Sequence, residues 1–301
     1  MPAFARAEEI SDLPPLTFYS VFSEWGVDPL ALLVTVWAAG FYLFGVWRLR
    51  SRGDRWSAAR TTSFVGGVGI FYLATSSGLA AYDTALLSVH MVQHMALSMV
   101  VPLLLALGAP VTLALRTLPQ PPRGLVLRVL HSRVAAALSF PPLTLFLFVA
   151  SPWAVYFSGW YDASLRSAAV HALLHVHLVV VGALFFWPLV GTDPVPGRVG
   201  YPFRLIVVFL TLPFHAFLGV TIMSSRELVG GEWYRSLDLA WLPPPGADQQ
   251  LAGGILWGAG DLLGLALFAV LFVQWLRAST REAAREDRRL DRLEATAEPD
   301  G

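Results

Sequence analysis

Charged residues along this chain fall in clusters and leave long apolar intervals between them. Seven intervals, at about 29–48, 59–80, 85–107, 134–156, 168–190, 203–224 and 251–276, approach the roughly 20 residues that an α-helix needs to cross a bilayer. The pattern predicts an all-α, polytopic membrane helical bundle of about seven transmembrane helices. We read 29–276 as one domain, with an outer N-terminal segment at 1–28 and a charged cytoplasmic tail at 277–301. Pro102, Pro141 and Pro142 are expected to bend their helices. Gly66, Gly67 and Gly69 in the second span, and Gly253, Gly254, Gly258, Gly260 and Gly264 in the last, are expected to allow close helix contact.

Composition agrees with that reading. The chain is 55% hydrophobic and only 14% charged, with a mean hydropathy of +0.59, whereas a soluble domain carries about 25% charged residues. Net charge is +0, and arginines cluster only where membrane-flanking loops belong, so no nucleic-acid partner is expected. Cysteine is absent, which removes disulfides and thiolate metal ligands. All 21 basic residues are arginine. Without lysine no retinal Schiff base can form, so a rhodopsin-like reading is excluded.

The arginines also orient the chain. Seventeen fall in the loops after the first, third and fifth spans and in the tail, Arg198 and Arg204 among them. Arg6, Arg166, Arg226 and Arg235 fall on the other side. The positive-inside rule then places the N-terminus outside and the C-terminus in the cytoplasm. Residues 1–28 show no basic region leading into a short apolar core, so no cleavable signal peptide is expected. The tail reads as a solvated helix end fraying into disorder at Ala295–Gly301. The long outer loop 225–250, with Trp233, Trp241 and Pro243–Pro245, is read as interfacial anchoring in preference to a lid or a partner-docking surface.

Histidine placement suggests the chemistry. Four of the seven histidines form two pairs, His90 with His94 and His171 with His175, each four residues apart. Residues at that spacing share one helix face. At 1.5 Å per residue, His90 and His94 lie roughly 9 and 15 Å below the outer face, and His171 and His175 roughly 5 and 11 Å. His215 and Asp261 reach a similar depth from the sixth and seventh spans, roughly 14 Å. Ionisable groups at membrane depth are costly and by default mark function. Imidazole suits copper, zinc, iron and nickel, and a cysteine-free cluster of histidines suits copper. The candidate metal ligands are therefore His90, His94, His171, His175, His215 and Asp261, with Asp261 either a ligand or an acceptor that fixes an imidazole tautomer.

Neighbouring residues are weighed against simpler roles. Met91, Met95, Met99 and Met223 offer soft thioethers for Cu(I), although apolar gap-filling is the simpler reading of each. His215 lies two residues after Pro213, where satisfying a freed carbonyl is the simpler role for its ring. His177, turned about 200° from His175, is read as a helix–helix hydrogen-bonding residue. His131 is left at the cytoplasmic interface. Asp83 would recruit cations or cap a helix N-terminus.

Three blocks resemble the CtaG-type cytochrome c oxidase assembly factors. They are His90-Met-Val-Gln-His94 running on to Pro102 and Gly108-Ala-Pro110, His171-Ala-Leu-Leu-His175 leading to Phe186-Trp187-Pro188, and Asp248-Gln249-Gln250 followed by Gly253-Gly254 and Trp257. The resemblance implies a multi-pass protein of the bacterial plasma membrane that serves maturation of a haem–copper oxidase and handles copper. Oxidase subunits or a copper chaperone are then its expected partners beside the lipid bilayer, and no enzymatic activity is expected. It also implies central roles for His90, His94, His171 and His175, with Asp248, Gln249 and Gln250 near the outer mouth. Two other readings stay open: a haem b electron-transfer protein, with axial histidines from two helices, and a His/Asp proton or ion transporter. A hydrolase is disfavoured because no activated nucleophile accompanies the histidines.

Overall fold

The structure, a computed structural model, describes residues 10–196, 199–237 and 239–297. Arg6 and Arg198 of the orientation argument lie outside them. All regular structure among the described residues is helical. Among the described residues six helical stretches are long and apolar enough to cross a membrane, and a seventh span results if one bent pair counts as a unit.

In chain order the helices are α1 Phe18–Ser23, α2 Pro29–Arg50, α3 Ala58–Ser76, α4 Gly78–Tyr82 and α5 Leu87–Met95. A π-helical turn, Ala96–Val100, joins α5 to α6 Val101–Leu107. Then come α7 Pro110–Thr117, α8 Gln120–Leu130, α9 Arg133–Leu138, α10 Pro141–Phe157, α11 Trp160–Arg166 and α12 Ala168–Val190. The chain closes with α13 Tyr201–Ser224, α14 Gly231–Ser236 and α15 Pro245–Ala297.

The fourth span differs from expectation. It starts at Pro141 instead of 134, because a residue before proline is pushed out of the helical region and Phe140 is extended, with ψ 115°. Pro141 and Pro142 therefore begin α10, while residues 133–138 form the separate α9. Seventeen residues make only about 25 Å of helix, and only together with α11, inclined at 62° to α10, is this stretch long enough to count as a span. The last span sits inside a helix of 53 residues that runs through the charged tail to Ala297. The disorder expected from Ala295 is therefore not found up to Ala297, and 298–301 lie outside the described residues.

Pro102 acts through hydrogen bonding. It has no N–H to return to the Ser98 carbonyl, and the helix widens there into the π turn. Gly182 of α12 packs directly on that carbonyl: a Cβ built at Gly182 would stand 2.1 Å from Ser98 O. Gly219 of α13 and Gly253 of α15 face each other in the same way, each Cβ meeting the other's carbonyl at 2.6–2.7 Å. Gly67, Gly260 and Gly264 also make the expected close contacts, whereas Gly66, Gly69, Gly254 and Gly258 have nothing within 4 Å.

Polar side chains fasten the two ends. At the end bearing Arg48, Arg50 and Arg116, Asp193 accepts from Val111 N, Thr112 N, Thr112 Oγ1 and Trp187 Nε1 at 3.2, 2.7, 2.6 and 3.0 Å. This carboxylate, three residues past the end of α12, satisfies the N-terminus of α7. At the opposite end the N-terminal stretch straps the bundle: Tyr82 Oη donates to Pro14 O at 2.7 Å and Trp241 Nε1 to Leu13 O at 3.1 Å.

Candidate metal centre

α5 opens beside α15, and its start is held by a distant carboxylate. Asp248 accepts from Ser88 N at 3.2 Å and from Ser88 Oγ, supplying the cap that Leu86 at the N-cap position lacks. Gln249 grips the loop after α13: Val229 N donates to its Oε1 at 2.8 Å, and its Nε2 donates to Ile222 O at 3.1 Å. Trp233, buried, donates through Nε1 to Thr84 O at 2.7 Å. The loop 225–250 is thus packed over this end, which corrects the anchor reading of Trp233: an indole anchoring in headgroups would not be 3% exposed.

Beneath this cover lie the paired histidines. Asp83, in the turn between α4 and α5, is 1% exposed. It receives His171 Nε2 at 2.8 Å and stands 3.8 Å from His175 Nε2. His175 Nε2 also donates to Gln93 Oε1 at 3.0 Å, while Gln93 Nε2 donates to Ala74 O at 2.8 Å. The anchored amide thereby fixes the His175 tautomer. Burial would raise the Asp83 carboxyl, but His171 and His175 alongside outweigh it and hold it at about 2. Asp83, His171 and His175 each offer a ligand atom, all within 4.8 Å of one another. Asp83 is therefore not the N-terminal cap considered from sequence.

The other pair meets on a phenol. His94 Nδ1 lies 2.6 Å and His90 Nε2 3.2 Å from Tyr156 Oη. The His90 ring is 6.5 Å from that of His171, so the four paired histidines form one connected cluster. Tyr161 packs against His90 with ring centres 4.7 Å apart, and its hydroxyl shares a 2.6 Å hydrogen bond with that of Tyr234. Burial pushes the Tyr234 phenol up, so it stays neutral.

Residues 40–278 match the profile of the cytochrome c oxidase caa3 assembly factor family, Caa3_CtaG, which spans both histidine pairs. The chain belongs to this family. It is 42% identical over 288 residues to uncharacterized protein Mb0105 of Mycobacterium bovis and to uncharacterized protein MT0111 of Mycobacterium tuberculosis. Uncharacterized protein ML1998 of Mycobacterium leprae is 38% identical over the same length. Each alignment covers 93% of this chain and 44% of the relative, so the chain spans less than half the length of these relatives. No solved structure matches it.

Two candidate ligands, His215 and Asp261, are not in the Asp83 donor group. His215 donates from Nδ1 to Thr211 O at 3.0 Å and packs against Phe148 and Gly260. Asp261 accepts from Trp257 Nε1 at 2.8 Å, one turn away on its own helix. Similar depth alone does not put them among the Asp83 donors, because depth along a helix leaves its rotation about the axis free. His177 hydrogen-bonds Ser151 on α10 at 2.6 Å, the interhelical role expected of it. Sequence reasoning missed Gln93 and Tyr156 altogether. Gln93 had a signal, since it lies inside the His90–His94 block, whereas a tyrosine in an apolar span carries none.

Proposed function

We propose that this chain is a non-catalytic, multi-pass plasma-membrane assembly factor for a cytochrome c oxidase, which binds copper as cargo at Asp83, His171 and His175. Membership of the assembly-factor family supports the context. The observation that carries the site is a buried carboxylate and two imidazoles with donor atoms within 4.8 Å of one another. A donor set of two imidazoles and one carboxylate suits Cu(II), zinc and non-haem Fe(II), and the oxidase-assembly family is what favours copper among them. Both rings must give up an Nε2 proton to hold an ion: His171 can shift its own to Nδ1, which is buried with no hydrogen-bond partner, whereas His175 exchanges its bond to Gln93 Oε1 for the ion.

The site lies at the end opposite most of the arginines. With the N-terminus outside and the C-terminus cytoplasmic, as the positive-inside rule requires, the ion would be held toward the outer face, ready for an oxidase subunit or a copper chaperone there. A cavity of about 280 Å³ is lined by Ala85 and Leu86, two and three residues after Asp83, with Tyr234, Asp248 and the Pro243–Pro245 turn, and an ion would enter from there.

Metal analysis of the detergent-purified full chain, with an optical spectrum, tests this reading. The expected result is about one copper per chain, lost in the His171→Ala/His175→Ala variant, together with failure of that variant to support oxidase maturation. A protein without metal, or a double variant that keeps its copper and its function, would overturn it, and a haem Soret band would replace it with the electron-transfer reading.

A further inference from the structure

His90 and His94, which the Asp83 cluster does not use, converge with a third soft donor. His94 Nδ1, His90 Nε2 and Met91 Sδ lie 2.6, 3.2 and 3.6 Å from Tyr156 Oη. A hydroxyl has one proton to give, so it cannot donate to all three, and His90 Nδ1 is left buried without a partner. Met91 also differs from Met95 and Met99: all three are buried, but Met91 has its sulfur against a polar group. Two imidazole nitrogens and a thioether around one point, with no carboxylate among them, form the donor class that favours Cu(I).

We propose that His90, Met91 and His94 form a second, Cu(I)-selective position, which the Tyr156 hydroxyl closes while no metal is bound. The inference rests on the copper reading above and extends it to two adjoining positions, harder at Asp83 and softer at Tyr156, joined through the His90 and His171 rings 6.5 Å apart. Loading exchanges hydrogen bonds for bonds to the ion. Two Cu–N bonds and one Cu–S bond form, the phenol keeps its proton, and no electron is transferred. Tyr156 is placed to swing aside, because Pro152 interrupts the hydrogen bonding of α10 one turn before it and the chain bends by 62° just after Phe157.

The test is an anaerobic Cu(I) titration of the full chain in detergent against a chromophoric Cu(I) chelator, with X-ray absorption of the loaded protein. Tyr156→Phe is expected to bind Cu(I) roughly five- to tenfold tighter, the factor that corresponds to one ordinary hydrogen bond removed from the competing state. Met91→Leu, close to it in volume, is expected to bind Cu(I) about tenfold weaker, to lose the sulfur neighbour of the copper and to keep wild-type Cu(II) uptake. Wild-type protein without a sulfur neighbour, or both variants titrating like wild type, overturns the second position. If copper is bound and His171→Ala/His175→Ala loses it while Met91→Leu and Tyr156→Phe change nothing, the Asp83 reading survives and this one falls. No copper uptake in either oxidation state ends both.

Discussion

Gly182 is the place where helix packing and the candidate centre share one contact. Replacing it with alanine sets a Cβ 2.1 Å from Ser98 O and 2.7 Å from Pro102 Cγ. Reaching even a tight contact of about 3.0 Å would force α12 and the π turn apart by about 1 Å. Neither partner is a flexible side-chain tip, so the strain cannot be shed locally. Alanine gains about 0.5–1 kcal/mol over glycine within a helix, while overpacking costs about 1–3 kcal/mol or more. A backbone carbonyl as obstacle puts this case at the upper end, so the net loss is about 1–2 kcal/mol or more. A domain of this size loses roughly 2–4 °C of Tm per kcal/mol. The separated elements carry His94 just before the π turn and His175 two turns before Gly182, and a site must be held to about 0.5 Å. Thermal melts in detergent and metal titration should therefore fall together in Gly182→Ala. Gly66→Ala and Gly254→Ala, with nothing within 4 Å of the added carbon, should be neutral or slightly stabilising. A Gly182→Ala protein that melts and binds metal like those controls would refute the reasoning.

Other substitutions separate binding from scaffolding. Asp83→Asn keeps an acceptor for His171 but removes the negative donor, so copper affinity should drop at least about tenfold with an unchanged far-ultraviolet circular dichroism spectrum; retained affinity would exclude the carboxylate as a ligand. Asp193→Ala strands the donors of Val111, Thr112 and Trp187 and should cost about 2–4 kcal/mol of stability without altering copper stoichiometry, as melts and metal analysis will report. His215→Gln, outside the Asp83 donor group, should leave copper content at wild type; loss of the metal would return His215 to the ligand set. Trp233→Phe removes the bond to Thr84 O that holds the cover down and should speed copper release to a chelator several-fold, read by stopped-flow absorbance.

Much of this protein is decided locally. Runs of apolar residues near 20 long, broken by arginine clusters, specify spanning helices before any packing exists, since a backbone in hydrocarbon must satisfy its own hydrogen bonds. The i, i+4 pairing of His90 with His94 and of His171 with His175 is equally local, because helix geometry alone puts them on one face. Proline chemistry is local too, although the Pro141–Pro142 pair started a helix where a bend was expected. Tertiary structure decided what those faces meet. His215 and Asp261 took partners on their own helices, Thr211 O and Trp257 Nε1, and the crossing of α4, α5 and α12 delivered Asp83 to His171 and His175. The same crossing set Tyr156 of α10 between two imidazoles, and Asp248 came to cap α5 from 160 residues along the chain. Periodicity reports depth and face within one helix. Which side chains converge depends on how helices rotate and cross, and that is settled by close contacts such as Gly182 on Ser98 and Gly219 on Gly253, which involve residues far apart in the chain.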